Sequence, residues 1–471
     1  MAFHLALFEC RRPGGPFLLL IRTTLLFACA LSLMAQSDTA QSDTTQSTAV
    51  PSAEDYGGPA ILSRGEIPGA SSTAPIAFRP YIGLNAIYDD GLVPVSVNSG
   101  GRIPIADLFG VQLALGLYGY HTWKHTTLAL DYKGDFRHYG GNSAYDGTDQ
   151  FLSLILTHQP SKRVSFTLRN TAGTYSRDYF LTSTIGILDS NYLQTPQNDI
   201  YDNRVIFLTT AADMIYRMTP RLSFDIGGEA YIVRRESSAL YGLTGYDAHG
   251  DLQYRLRRHT TIGVDYRFTF FQYTKGFGNS DIHSVGINYA TQLTHRLQLA
   301  ARIGGARVES LSLEEVILDP AIAALLGVSV GVQATHQLHY VPDLTVRLTE
   351  SLRRSQFALT FTDGVNPGNG IYLTSKMESA FASYSYTGVR HWNFGADASY
   401  TKLSALVQTL GAYSSYGVGG GVTRDLKKGL HAVVRLDARR YDVAGKEFRH
   451  TDFRAMLGLS FSPGDVPLAL W

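Results

Sequence analysis

Several groupings of residues in this chain have the types that chemistry needs, and their spacing decides between them. Gly327-Val-Ser-Val-Gly331 has the spacing of a hydrolase nucleophile elbow, with His336 and His339 downstream as candidate bases. That elbow requires a sharp strand-to-helix turn. Here the order is reversed. Asp319, Pro320 and Gly327 supply the cap, first-turn and stop residues of a short helix, and strand-like alternation follows. No ordered acid or oxyanion element accompanies Ser329, so an outer-membrane hydrolase is the remotest reading. His121 and His125 are four apart, which suits one metal on a helix; across a hairpin turn it does not. Gly417-Val-Gly-Gly-Gly421 lacks the last glycine of a phosphate cradle, and Val418 and Val422 continue a strand. The sequence predicts no enzyme, no metal and no cofactor.

The grouping that remains is a set of charges at every second position. In Leu128–Arg137, Asp131, Lys133, Asp135 and Arg137 share one side, and Leu128, Leu130, Tyr132 and Phe136 take the other. Asp265 and Arg267 alternate with Val264, Tyr266 and Phe268. Arg435, Asp437 and Arg439 alternate with Val434, Leu436 and Ala438. The same pattern places Arg169, Asp225, Glu229, Arg255, Arg302, Arg347 and Asp397 on the polar side, together with Arg163, Asp213, Arg257 and Arg454. Period two means strand, because successive Cβ atoms point to opposite faces. A Lys or Arg on a lipid face costs about 2–4 kcal/mol at mid-depth, so several together force the sidedness.

The elements that must position these charges run from residue 77 to 462. About eighteen alternating segments, each near the 9–11 residues of a tilted spanning strand, are separated by turn signals. Tight connections such as Met218-Thr-Pro220 and Gly388-Val-Arg390 alternate with long ones at 89–108, 177–202 and 309–334. One short-turn rim and one long-loop rim, with both termini on the short side, is a barrel property. The predicted fold is all-β: a transmembrane antiparallel up-and-down β-barrel with a greasy outside and a polar lumen. A propeller would show a blade repeat of about 40–50 residues, and none is present. In a soluble sandwich the same alternation would bury the apolar face, but long strands and asymmetric turns favour the barrel.

Composition agrees. Hydrophobic residues make up 44% of 471, yet mean hydropathy is -0.05, too polar for a helical membrane protein. A net charge of +1 gives no footprint for nucleic acid. Arg11, Arg12 and Arg22 precede the apolar run Thr24–Ala35, so residues 1–35 read as a signal peptide, with a lipoprotein signal at Cys29 as the rival. Both cysteines, Cys10 and Cys29, fall within it. Residues 36–76 read as a disordered polar linker, too short for a plug domain, and 77–471 as the barrel.

Val365-Asn-Pro-Gly-Asn-Gly-Ile-Tyr-Leu-Thr-Ser375, Tyr384-Ser-Tyr-Thr-Gly388 and His391-Trp-Asn-Phe-Gly395 resemble segments of porin-like bacterial outer-membrane β-barrel proteins. Trp471 resembles the aromatic C-terminal residue read by barrel-assembly machinery, although Pro467 interrupts the final strand pattern. The resemblance implies a location, the outer membrane of a Gram-negative-type bacterium, and a fold. It offers little about cargo; the partners expected are outer-membrane lipid, the assembly machinery during biogenesis and, on the channel reading, small polar solutes, and an oligomer is compatible with them.

A barrel of this size is wide enough for an aqueous channel. The function expected is porin-like passive diffusion of small polar solutes, with a lumen of about twelve basic to eight acidic groups and a weak anion preference. The duller reading of the same charges is pairing across strands to brace the wall. A surface barrel whose lumen is filled and whose loops bind a partner is the alternative. The apolar helix near 318–327 is expected either to pack on neighbouring loops or to fold inward as a constriction.

Overall fold

Along the described strands apolar side chains recur at every second residue, a period that suits a strand and gives a helix no face to bury. The computed structural model describes residues 79–92, 106–140, 145–176, 204–237, 240–317, 319, 329–407, 411–427, 429–443 and 448–462. They form β1 (Arg79–Leu92), β2 (Ala106–Thr122), β3 (Thr126–Tyr139), β4 (Gly147–Ser161), β5 (Val164–Tyr175) and β6 (Val205–Arg217). Next come β7 (Leu222–Arg235), β8 (Gly242–Arg257), β9 (Thr260–Thr274), β10 (Asn279–Gln292), β11 (Leu297–Ile317) and β12 (Val330–Ser351). The last are β13 (Ser355–Asn366), β14 (Ser375–Val389), β15 (Trp392–Ala405), β16 (Tyr413–Lys427), β17 (Leu430–Val443) and β18 (Phe448–Phe461). All belong to one 18-stranded sheet. Each strand pairs antiparallel with its sequence neighbours, and β1 also pairs with β18, from Ile82↔Phe461 to Asp90↔Phe453. The sheet is a closed up-and-down barrel.

The wall is inside-out relative to a water-soluble protein. On β9, Val264 is 54% exposed and Asp265, its neighbour, 5%. Leu84, Ile287, Ile303, Val418 and Leu457 are likewise exposed, while the charged side chains between them point inward. A continuous exposed apolar belt requires lipid around it, and closure leaves no backbone edge to face that lipid. Aromatic pairs mark the ends of the belt: Tyr88 and Phe109 lie 4.7 Å apart at the long-loop end, and Trp392 and Phe394 stack at 6.3 Å beside a tight turn. Leu436 is half-exposed on this outer face. Leu436→Arg is expected to lower the stability of the folded barrel by about 2–4 kcal/mol at mid-depth. Heat-modifiable migration of the refolded variant reads this, and a fully folded yield would place Leu436 away from lipid.

The β11–β12 hairpin departs from the alternation-based boundaries of 295–308 and 335–352. Its register runs unbroken from Leu297↔Glu350 to Ile317↔Val330. Backbone pairing continues there after the regular in-and-out pattern has ended, so the hairpin outlasts the signal that periodicity detects. Of the helix expected at 318–327, only Asp319 is among the described residues. The expected signal peptide, the linker and Trp471 also lie outside them.

Candidate functional site: the barrel interior

Most of the charged residues that alternation assigned to the polar face sit on the inward side of the wall, and two do not. On the β3–β5 wall, Arg137 is buried, pairs with Asp149 and donates to the Ser176 carbonyl at 2.5 Å. Lys133 stands 3.7 Å from Asp131, and Asp135 and Arg169 share their face. On β7–β9, Asp225, Glu229 and Asp265 are buried and Arg267 half-buried. Arg255 lies near the turn end of β8 and donates to the Pro220 carbonyl at 2.8 Å. Arg302 and Arg347 are buried on β11 and β12. On the remaining wall, Asp397, Arg435, Asp437 and Arg439 point inward, and Arg454 pairs with Asp89 at 2.6 Å. Arg163 and Arg257 do not join them. Both are exposed at tight turns, where strand alternation ends; a register shift between Arg255 and Arg257 breaks the pattern on β8.

Three contacts across the inner wall use one device. Arg302 on β11 reaches over β10 to Asp265 on β9, with Nη2 2.7 Å from Oδ2. The strand crossed carries Gly286, where a Cβ would sit 2.9 Å from both Arg302 Nε and Asp265 Oδ1. Arg435 on β17 likewise crosses Gly419 on β16 to reach Asp397 on β15 at 2.8 Å. His249 on β8 crosses Gly227 on β7 to reach Asp213 on β6 at 3.3 Å. A glycine facing inward leaves room for a long or ring side chain to bridge strands that are not neighbours. Arg302 also holds Asp343 of β12 at 2.5 Å and Ser284 at 2.8 Å, so one guanidinium ties β9, β10, β11 and β12 together. Arg435 holds Asp437 of its own strand at 2.6 Å as well as Asp397. These contacts give the wall-bracing reading its geometry.

The feature that sequence reasoning missed is a strap across the lumen. The connection between β13 and β14 is built from Asn366-Pro-Gly-Asn-Gly, with positive φ at Gly368 and Gly370. Asn366 Oδ1 accepts the Gly368 N–H at 2.7 Å and Asn369 Oδ1 accepts the Tyr372 N–H at 3.0 Å, so the loop carries its own turns. On one side it is bonded to β9, β10 and the β7–β8 connection. Tyr273 Oη donates to the Pro367 carbonyl at 3.1 Å and accepts the Thr374 N–H at 2.5 Å. Ser280 Oγ meets Thr374 Oγ1 at 2.7 Å, and the Tyr241 N–H donates to the Gly370 carbonyl at 3.2 Å. Leu373 packs on the inward apolar patch that includes Phe271 and Val308, both 0% exposed. On the other side Tyr372 joins Leu403 of β15, Tyr413 of β16 and Tyr441 of β17 in one buried cluster. Adjacent residues of one loop thus engage walls that lie five to eight strands apart, β9–β10 on one side and β15–β17 on the other. The density of turn residues, followed by uncharged Ile371, Tyr372 and Leu373, is the signal that could have revealed it. Consecutive Phe270 and Phe271 are a second one, since they break the alternation of β9 and point an aromatic ring inward.

No family model and no curated protein matches the sequence. Among solved structures, the crystal structure of OpdQ from Pseudomonas aeruginosa is similar at 13% identity and TM-score 0.38, over 82% of this chain and 97% of that one. OccAB1 from Acinetobacter baumannii is similar at 11% identity and TM-score 0.39, over 84% and 100%. OccK2 (OpdF) from Pseudomonas aeruginosa, in complex with glucuronate, is similar at 11% identity and TM-score 0.39, over 82% and 98%. Likeness at this level settles neither function nor solute.

In the elbow motif, Ser329 immediately precedes β12, and the six extended residues 330–335, at about 3.3 Å each, separate it from His336. His339 is bonded instead to Gln337, at 3.2 Å. His121 and His125 flank the tight turn between β2 and β3, and no cluster of metal-ligating side chains occurs among the described residues. What the interior offers is a polar, mixed-charge wall beneath a loop that narrows the long-loop end.

Proposed function

We propose that this chain is a porin-like outer-membrane barrel through which small polar solutes diffuse passively. The observation that supports this most is the closed 18-stranded wall, apolar outside and charged inside. The tight turns then face the periplasm and the long loops the cell exterior, after export by the 1–35 signal peptide and insertion by barrel-assembly machinery. Solutes enter past the strap and travel along the mixed-charge wall, with selection by size and by a weakly anion-favouring field. No reacting group takes part.

A second reading has its own support. The strap, and the nearly complete burial of Asp89, Asp225 and Asp251 on the inner wall, fit a filled barrel that displays loops for a partner. Solute uptake separates the two. Vesicles bearing the refolded protein are expected to swell in small sugars and amino acids and to exclude larger oligosaccharides. Failure to swell in every solute, with folded protein present, would favour the filled barrel.

A further inference from the structure

The two rims of the barrel differ in charge, and neither the pore nor the braced wall accounts for the difference. Lys or Arg stands in or beside every tight turn. Lys124 lies between β2 and β3, Lys162 and Arg163 between β4 and β5, and Arg221 between β6 and β7. Further round come Arg258, Arg296, Arg353, Arg390 and Lys427. The acids of this rim are Glu350 and Asp425, and Asp425 is engaged by His391 at 3.5 Å. Lys124, Lys162, Arg163, Arg353 and Arg390 are exposed and form no ion pair among the described residues. At the long-loop end several outward-facing bases are matched: Lys376 with Asp363 and Glu378 at 3.1 Å each, Arg449 with Asp442 at 2.7 Å, and Arg307 with Glu309, while exposed Arg234 and Arg440 form no ion pair among the described residues.

An exposed apolar side chain accompanies most of the tight-turn bases. Trp123 precedes Lys124, Leu352 precedes Arg353 and Val389 precedes Arg390. Leu256 precedes Arg257 and Leu426 precedes Lys427 in the same way. A soluble polyanion would satisfy the charges and leave the apolar groups in water. A phospholipid satisfies both, with the phosphate on the base and the acyl boundary around its neighbour.

We infer that the tight-turn rim is a docking ring for anionic phospholipid. The turn bases hold the headgroups of the leaflet on that side and fix the depth of the barrel. The inference rests on the membrane-spanning reading, and the test keeps the two apart. Trp123 and Trp392 both lie at this rim, and the third tryptophan is Trp471. In Trp471→Phe protein, tryptophan quenching therefore reports which lipid occupies the ring.

The protein is refolded into phosphatidylcholine vesicles carrying equal shares of brominated phosphatidylglycerol or brominated phosphatidylcholine. At low salt the anionic lipid is expected to be enriched roughly fivefold, the ratio given by about 1 kcal/mol per Lys or Arg at an anionic surface. High salt should bring that ratio towards one. So should the substitutions Lys124→Gln, Lys162→Gln, Arg163→Gln, Arg353→Gln, Arg390→Gln and Lys427→Gln made together, which spare Arg424 stacked on Trp392. Equal quenching by the two lipids at low salt, or a preference that survives both salt and substitution, would overturn the ring. Quenching by neither lipid would remove the ring together with the membrane-spanning reading.

Discussion

Arg302→Met is expected to destabilise the barrel by about 3–5 kcal/mol. Its guanidinium lies between Asp265 at 2.7 Å and Asp343 at 2.5 Å, and also donates to Ser284 at 2.8 Å. Methionine keeps most of the volume and removes the charge. Two inward carboxylates, one of them in a residue 5% exposed, then lose their counter-ion. Neutralising both acids along with the arginine should recover most of the loss, because a buried ion pair is worth less than the penalty for breaking it. Urea unfolding of the protein in lipid vesicles gives the numbers. A loss under about 1 kcal/mol for Arg302→Met would mean that these pairs behave like surface pairs in open water and do not brace the wall.

Deleting Gly368–Leu373 is expected to raise single-channel conductance severalfold, since the strap is bonded to walls on both sides of its own hairpin. A cross-link provides the converse. Ser280 Oγ and Thr374 Oγ1 lie 2.7 Å apart, within reach of a disulfide between cysteines at those positions. Cys10 and Cys29 both precede the barrel, so no other thiol in it competes. Oxidation of Ser280→Cys/Thr374→Cys protein should leave conductance unchanged, because Tyr273, Ser280 and Leu373 already hold the strap in place. A fall in conductance on oxidation would show that the strap swings clear when solute passes. An unchanged conductance after deletion would put the strap outside the path.

The wall was legible in the sequence because alternation has a physical cause that survives every local irregularity. Asp131, Asp265 and Arg435 each face inward, and Val264 and Leu436 outward, since a single-residue slip would expose every charge to lipid. The same signal fails where two-sided burial stops. It placed Arg163 and Arg257 on the inner wall, although both sit at turns where no face is buried. It ended β11 near residue 308, while backbone pairing carries the strand to Ile317. The strap lay outside what alternation can read, for a different reason. Periodicity reports what a strand does with its own two faces. It contains nothing about which wall Tyr372 or Leu373 will meet after the chain leaves β13. The role of Gly286 and Gly419 was equally hidden, because the reach of Arg302 and Arg435 over them depends on register between strands far apart in sequence.

The central claim is that this closed, inside-out barrel conducts solute through its lumen. Planar-bilayer recording of the purified, refolded protein tests it most directly. Discrete ohmic steps, with a reversal potential in a salt gradient displaced slightly towards anions, are the expected result. Folded protein that inserts and gives no steps, or steps strongly selective for cations, would contradict the account.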